Sequence, residues 1–181
     1  MRLDDNLKRQ LEWNVATEFL LEYNHATARL FKAARHGTPP EPDVLCRDTR
    51  TGERISIEIG TAYYDDSHAK SVWHSARGKK ASPYWISRPD PQENRRVLRN
   101  ADKIICRKSR SRYSSTGRLL LVVALEPIRL YLTEILLKDL KILRVPEIHP
   151  FDEIYVFSTH GEPLQLYPER QWIGTWAGRQ H

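Results

Sequence analysis

The sequence predicts an α/β (α+β) fold, a mixed β-sheet flanked by helices, and three stretches carry that expectation. Residues 3–35 hold an apolar stripe at helical spacing, residues 44–59 alternate with a period of two around a turn, and residues 119–125 are a continuous apolar run. A run of that kind is the pattern of a central strand buried on both faces.

Leu3, Leu7, Leu11 and Val15 recur every four positions, and Phe19, Leu20, Tyr23, Leu30 and Phe31 extend the stripe. Neither Gly nor Pro interrupts it before Gly37, and Pro39-Pro40 end it, so a helix is expected over 3–35 with Asn24-His25-Ala26-Thr27 as its weakest part. Val44 and Cys46 alternate with Leu45 and Arg47. Asp48–Glu53 is turn-rich, and Ile55, Ile57 and Ile59 alternate with Ser56 and Glu58. This is a β-hairpin in which Asp43 and Glu58 can face each other across the ladder. Two carboxylates converging there can hold a hard divalent cation such as magnesium, although one acid per strand of a hairpin is also common on solvated faces.

Residues 61–90 form a long irregular insertion in which Lys70, Arg77, Lys79 and Lys80 are interleaved with Trp73, Tyr84 and Trp85. Charge plus flat rings is the mixture that grips backbone phosphates and stacks on exposed bases. His68 and His74 with Asp65 and Asp66 match no metal-ligand spacing. A second helix is expected over 91–113, opened by Pro89-Asp90-Pro91. Val97, Ala101, Ile104 and Lys108 share its inward face, with Lys103 and Arg107 further round. A short helix over 131–143, a strand over 151–158 and an edge strand over 164–168 follow. Residues 1–168 read as one domain and 169–181, with Trp172 and Trp176, as a tail that docks on the body, contacts a partner or stays loose.

The length suits one domain with a real core. No apolar run reaches 18 residues and the first residues form no apolar signal segment, so neither a membrane partner nor export is expected. Two cysteines, Cys46 and Cys106, read as reduced thiols of a cytoplasmic protein. The net charge is +6, but residues 68–118 alone carry +11 and the remainder −5. A positive region this concentrated suits a polyanion. Lys70, Arg77, Lys79, Lys80, Arg95, Arg96, Arg99, Lys103 and Arg107 are the candidate nucleic-acid contacts, with a solvated basic face as the plainer reading.

Glu12, Glu18 and Glu22 lie on the first helix and offer a third acid. Eight residues from Arg35 to Asp43 span roughly 25 Å. Along a straight helix Glu18 is about 25 Å and Glu12 about 35 Å from Arg35. A straight helix therefore favours Glu18 or Glu22, whereas a break near Asn24 returns Glu12 to the hairpin.

Pro42-Asp43 at a strand mouth, Glu58 on the next strand 15 residues on, an acidic first helix, and a later helix and buried strand together resemble the PD-(D/E)XK nuclease superfamily over residues 7–158. The resemblance implies a restriction-endonuclease-like fold and a magnesium- or manganese-dependent nuclease that hydrolyses DNA phosphodiesters. It implies Asp43, Glu58 and the Ile59 carbonyl as metal ligands, with Glu18 or Glu12 as the helical acid. The motif's Lys is missing, because Gly60 stands in its place. Glu58-Ile59-Gly60-Thr61 and the later Arg107-Lys108-Ser109-Arg110-Ser111-Arg112-Tyr113 are similar to variants in which the following helix supplies the Lys. Lys108 is then the replacement, with Lys103 second. A nucleic-acid-binding module without catalysis and an assembly subunit are the competing readings. DNA against RNA, and monomer against homodimer or larger complex, stay open.

Overall fold

The structure is a computed structural model and describes residues 3–63, 91–125, 139–158 and 163–172. The chain runs through α1 (Leu3–Thr27), β1 (Phe31–His36), β2 (Val44–Asp48) and β3 (Arg54–Ala62). It continues through α2 (Pro91–Lys108), β4 (Arg118–Leu125), a 3-10 turn at Leu140–Ile142, β5 (Glu153–Phe157), β6 (Leu164–Tyr167) and β7 (Gln171–Trp172). Among the described residues the strands form one mixed seven-stranded sheet in sequence order, β1 to β7. β3, β4 and β5 are parallel neighbours at its centre, and the outer pairings are antiparallel.

The parallel centre is sandwiched, as the apolar run of β4 requires. Val15, Ala16, Phe19, Leu20 and Tyr23 of α1 pack on one face against Ile55, Ile57, Ile59, Leu120, Val122 and Ala124. Val97, Leu98, Ala101 and Ile105 of α2 pack on the other against Leu119, Leu121, Val123 and Leu125. At the start of β5, Glu153 accepts hydrogen bonds from Tyr23 and Tyr155 and pairs with Arg118, tying α1 to β4 and β5. Burial there pushes the Tyr23 hydroxyl up to about 12.

The first helix is shorter than its apolar pattern predicts. It ends at Thr27, and Phe31–His36 is a strand. No Gly or Pro ends it; side chains do. Asn24 donates to Phe31 O and accepts from Phe31 N, both at 2.8 Å, in place of the backbone partners a continued helix would offer. Ala28 turns through the left-handed region at φ 53°, a cost of about 1–2 kcal/mol that the two Asn24 bonds offset. Asp48 then fixes the incoming strand by accepting from Leu30 N, Arg50 N and Thr51 N, and these bonds hold its carboxyl well below the usual range.

The second helix also stops early, at Lys108, because Ser109 to Ser111 close it in turn bonds to Ile105, Arg107 and Lys108 carbonyls. Most of the helix expected over 131–143 lies outside the described residues, and its end is the 3-10 turn. The strand expected over 164–168 is β6, but it is not an edge: β5 and β7 pair with it on either side, because Trp172, assigned from sequence to the tail, belongs to β7. Residues 64–90, with Lys70, Arg77, Lys79, Lys80, His68, His74, Asp65 and Asp66, lie outside the described residues, as does Trp176. Among the described residues no helix is long and apolar enough to cross a membrane.

Candidate functional site

Asp43 is held at the mouth of β2 by a tight hairpin loop. Gly37 N donates to Asp43 O at 3.0 Å, and a β-carbon on Gly37 would sit only 1.8 Å from Pro42 O, so no side chain fits there. Arg35 grips Glu41 with both terminal nitrogens (2.9 and 2.6 Å) while Thr38 N donates to the same carboxylate. Arg35 accordingly holds the Glu41 carboxyl down at about 2. The loop presents Asp43 where the ladder runs out. The β2–β3 register pairs Val44 with Ile57, so its next rung sets Asp43 opposite Glu58. There the Asp43 carboxylate takes over from the backbone and accepts Ile59 N at 2.9 Å.

Glu58 is 5 % exposed on the α2 side of β3. The Lys108 ammonium, from the last residue of α2, contacts its carboxylate directly. The Tyr113 hydroxyl donates to Lys108 O at 3.5 Å and is near enough to Glu58 for each to shift the other's pKa. Burial raises the Glu58 pKa and Asp43 raises it further, while Lys108 and Tyr113 pull it back without cancelling the rise. Burial and the Glu58 charge raise the Tyr113 hydroxyl in turn.

The location of the ammonium follows from Gly60. Gly60 lies two residues after Glu58, on the same face of β3. A β-carbon there would lie 2.4 Å from Ile104 Cγ2. Ile is stiff at χ1 in a helix and cannot swing away cheaply. The glycine lets α2 close onto the sheet, and Lys108, one turn beyond Ile104, enters from the helix.

Glu12 approaches from α1. It is in step with Ala16, Phe19 and Tyr23, all buried, at i+4, i+7 and i+11, and its side chain is 12 % exposed. Burial and the Asp43 charge raise its pKa. Lys8, one turn earlier, pairs with it at 3.2 Å. Burial lowers the Lys8 pKa, but the carboxylates of Glu12, Asp43 and Glu58 more than offset this, and it ends above its usual value. Asp43, Glu58, Glu12, Lys108 and Lys8 thus form one interacting group. Glu18 is exposed on another face of α1 and Glu22 is half-buried outside the group. The straight-helix estimate that favoured Glu18 fails because the chain reverses at residue 28, ahead of the linker.

Lys8 escaped the sequence reading, although it precedes Glu12 by four residues, one helical turn. Tyr113 entered that reading only as the end of a motif.

Among the described residues no three His, Cys, Asp or Glu side chains are arranged as a metal-holding group. The pair Asp43 and Glu58 still fits a small hard cation. Both donors are carboxylate oxygens, they repel each other, and magnesium is commonly held by one or two carboxylates while keeping waters. Ser56 Oγ, two residues before Glu58 on β3, and Ser109 Oγ, just past Lys108 at the end of α2, are buried without hydrogen-bond partners among the described residues.

Arg96, Arg99, Lys103 and Arg107 recur at three and four residues along the exposed face of α2. Arg95 stands to one side and pairs with Asp139 at 2.9 Å. Lys103 lies on this outer face, so Lys108 is the lysine that meets Glu58.

No family model, curated protein or solved structure matches the chain.

Proposed function

We propose that the protein is a metal-dependent nuclease that hydrolyses DNA phosphodiesters on a restriction-endonuclease-like fold. One observation carries the reading: the Lys108 ammonium meets the Glu58 carboxylate beside Asp43, on a helix that packs Ile104 against Gly60. An acid pair with a lysine is the set that phosphodiester hydrolysis needs, and here the lysine comes from the helix. The element order, one helix, three antiparallel-linked strands, a helix and a parallel strand, supports the same reading.

Asp43, Glu58 and the Ile59 carbonyl would hold magnesium or manganese, which supplies an acidified water and neutralises charge on the phosphate. The chain's own groups do the rest. Lys108 orients the attacking water and stabilises the transition-state charge by its ammonium. Tyr113, whose hydroxyl donates to Lys108 O, favours the ionised Glu58 carboxylate. Glu12 accepts a proton or orients water from α1, with Lys8 limiting the repulsion among the three acids. Arg96, Arg99, Lys103 and Arg107 supply backbone-phosphate contacts, which position the strand and carry no base specificity. A cytoplasmic location, with Cys46 and Cys106 as free thiols, goes with this reading.

The test is cleavage of supercoiled plasmid and of single-stranded DNA with magnesium or manganese, with Glu58→Ala alongside. Cutting that disappears in the variant supports the nuclease. Absence of cutting, with binding that weakens steeply in salt, would leave a recognition module instead.

A further inference from the structure

Three cations stand in one rung of the sheet. The β1–β2 register sets Lys32 opposite Arg47, and the β2–β3 register sets Arg47 opposite Arg54. Residues directly opposite share a face, and Arg54 is in step with Glu58, so the row projects from the α2 side of the sheet. All three side chains are exposed. α1 covers the other face of these strands, through Phe31, Val44, Cys46 and Ile55. Like charges directly opposite one another destabilise a sheet, and here two such pairs adjoin. A lysine on the edge strand β1 discourages edge-to-edge pairing, but Arg47 and Arg54 lie on inner strands. No acid relieves the row: among the described residues no carboxylate pairs with Lys32, Arg47 or Arg54. Asp48, next to Arg47, is engaged by the N–H groups of Leu30, Arg50 and Thr51. Glu53, next to Arg54, pairs with Arg29 and Arg118. A hollow of about 490 Å³ opens beside the row, lined by Lys32, Arg47 and the 48–52 turn. The Arg47 guanidinium lies along that turn, since a β-carbon on Gly52 would sit 3.3 Å from Arg47 Nη2.

We propose that this rung is a docking row for the backbone of duplex DNA, with Lys32, Arg47 and Arg54 holding phosphates of one strand. The choice of DNA over another polyanion rests on the nuclease reading, whereas the need for an anion rests on the rung itself. Neighbouring strands lie about 4.8 Å apart, so the row is roughly 10 Å long at the backbone. A straight line of charge complements a chain of phosphates, and guanidinium forks match phosphate oxygens two at a time. The row stands four residues from Asp43 along β2 and from Glu58 along β3, roughly 13 Å, which keeps its phosphates clear of the acid pair. It also lies outside residues 68–118, in the part of the chain whose net charge is −5. Strand register, not composition, gathers these cations.

The test is binding of the full chain in chelator, by fluorescence anisotropy, to a labelled blunt duplex over a range of salt. The combined variant Lys32→Gln, Arg47→Gln and Arg54→Gln should bind at least about ten-fold more weakly at about 0.1 M salt, and its log–log salt slope should fall by about 0.9 for each contact removed. With the mutual repulsion gone, it should resist urea at least as well as the wild-type protein, which a structural role for these residues would not give. A folded variant with wild-type affinity and slope, or a wild-type protein that binds no duplex, overturns the proposal. A second measurement uses unmodified protein and so stands even where the variant fails to fold. Saturating duplex should slow acylation of Lys32 by an amine-reactive ester, read by mass spectrometry, and an unchanged rate overturns the row. Displacement of the duplex by polyglutamate at equal charge concentration would make the occupant an acidic protein and overturn it as well. Weakened binding by the variant, where the wild-type protein leaves DNA uncut with magnesium, supports the row and removes the nuclease reading alone.

Discussion

Gly60 and Ile104 share one space: a β-carbon on Gly60 would come within 2.4 Å of Ile104 Cγ2. Gly60→Ala should therefore cost about 1–3 kcal/mol by overpacking. Ile104→Ala should cost a comparable amount by leaving a void, and the double variant less than the sum. Urea denaturation of the four proteins measures the coupling, and strict additivity would show that the helix does not press on this glycine.

Asp43→Asn keeps an oxygen that can accept from Ile59 N, so the fold should hold to within about 1 kcal/mol. The lost charge should lower cleavage at least about a hundred-fold while nucleic-acid affinity is unchanged or rises. Binding and cleavage measured on the same preparation separate the two effects.

Lys108→Met leaves Glu58 buried without its cation. The expected loss is about 1–3 kcal/mol at neutral pH, shrinking in acid as Glu58 takes up a proton. Denaturation at neutral and acidic pH tests this; a penalty independent of pH would mean that the two groups do not interact.

Glu12 has a raised folded-state pKa. A carboxyl of this kind holds its proton longer folded than unfolded. Its contribution is therefore present below the unfolded pKa and is lost as pH rises through the folded one. Glu12→Gln should accordingly raise the melting temperature at pH 7 and leave it nearly unchanged well below the normal carboxyl range. A variant that melts lower at pH 7 would place Glu12 among the stabilising ion pairs instead.

Neutralising Arg96, Arg99, Lys103 and Arg107 should weaken binding across all sequences. The log–log salt slope should fall by about 0.9 for each phosphate contact removed from duplex DNA. Stability should change by no more than about 0.5 kcal/mol per site, because these side chains are exposed.

The hairpin, the buried central strand and the inward Lys108 were legible because each lies in a strong periodic pattern. The β2–β3 register follows from the alternation of isoleucines, and the Asp43–Glu58 juxtaposition follows from that register. The end of α1 was not legible. Its apolar stripe continues through Leu30 and Phe31, and what breaks it is a tertiary exchange of hydrogen bonds between Asn24 and Phe31. The choice of Glu12 over Glu18 depended on that same turn, although the phase of Glu12 with Ala16, Phe19 and Tyr23 was readable. Lys8 has no signature beyond that phase. The reason for Gly60 was equally hidden, since only the approach of α2 shows what its hydrogen makes room for.

The carboxylates of the site lie on α1, at the mouth of β2 and on β3, and its half-buried ammonium lies at the far end of α2. Without the end of α2, the carboxylates of Glu12, Asp43 and Glu58 would face one another with Lys8 paired to Glu12 alone. Docking of α2 is thus a neutralisation as well as an apolar closure, and its electrostatic part operates only while the acids are ionised. Lys108 offsets only part of the cost of burying Glu58 beside Asp43, so the assembled site on balance holds its proton more tightly than the unfolded chain does. The charge balance of the site thus depends on four separate elements meeting, and removal of the helix end that carries Lys108 would leave Glu58 beside Asp43 without its cation.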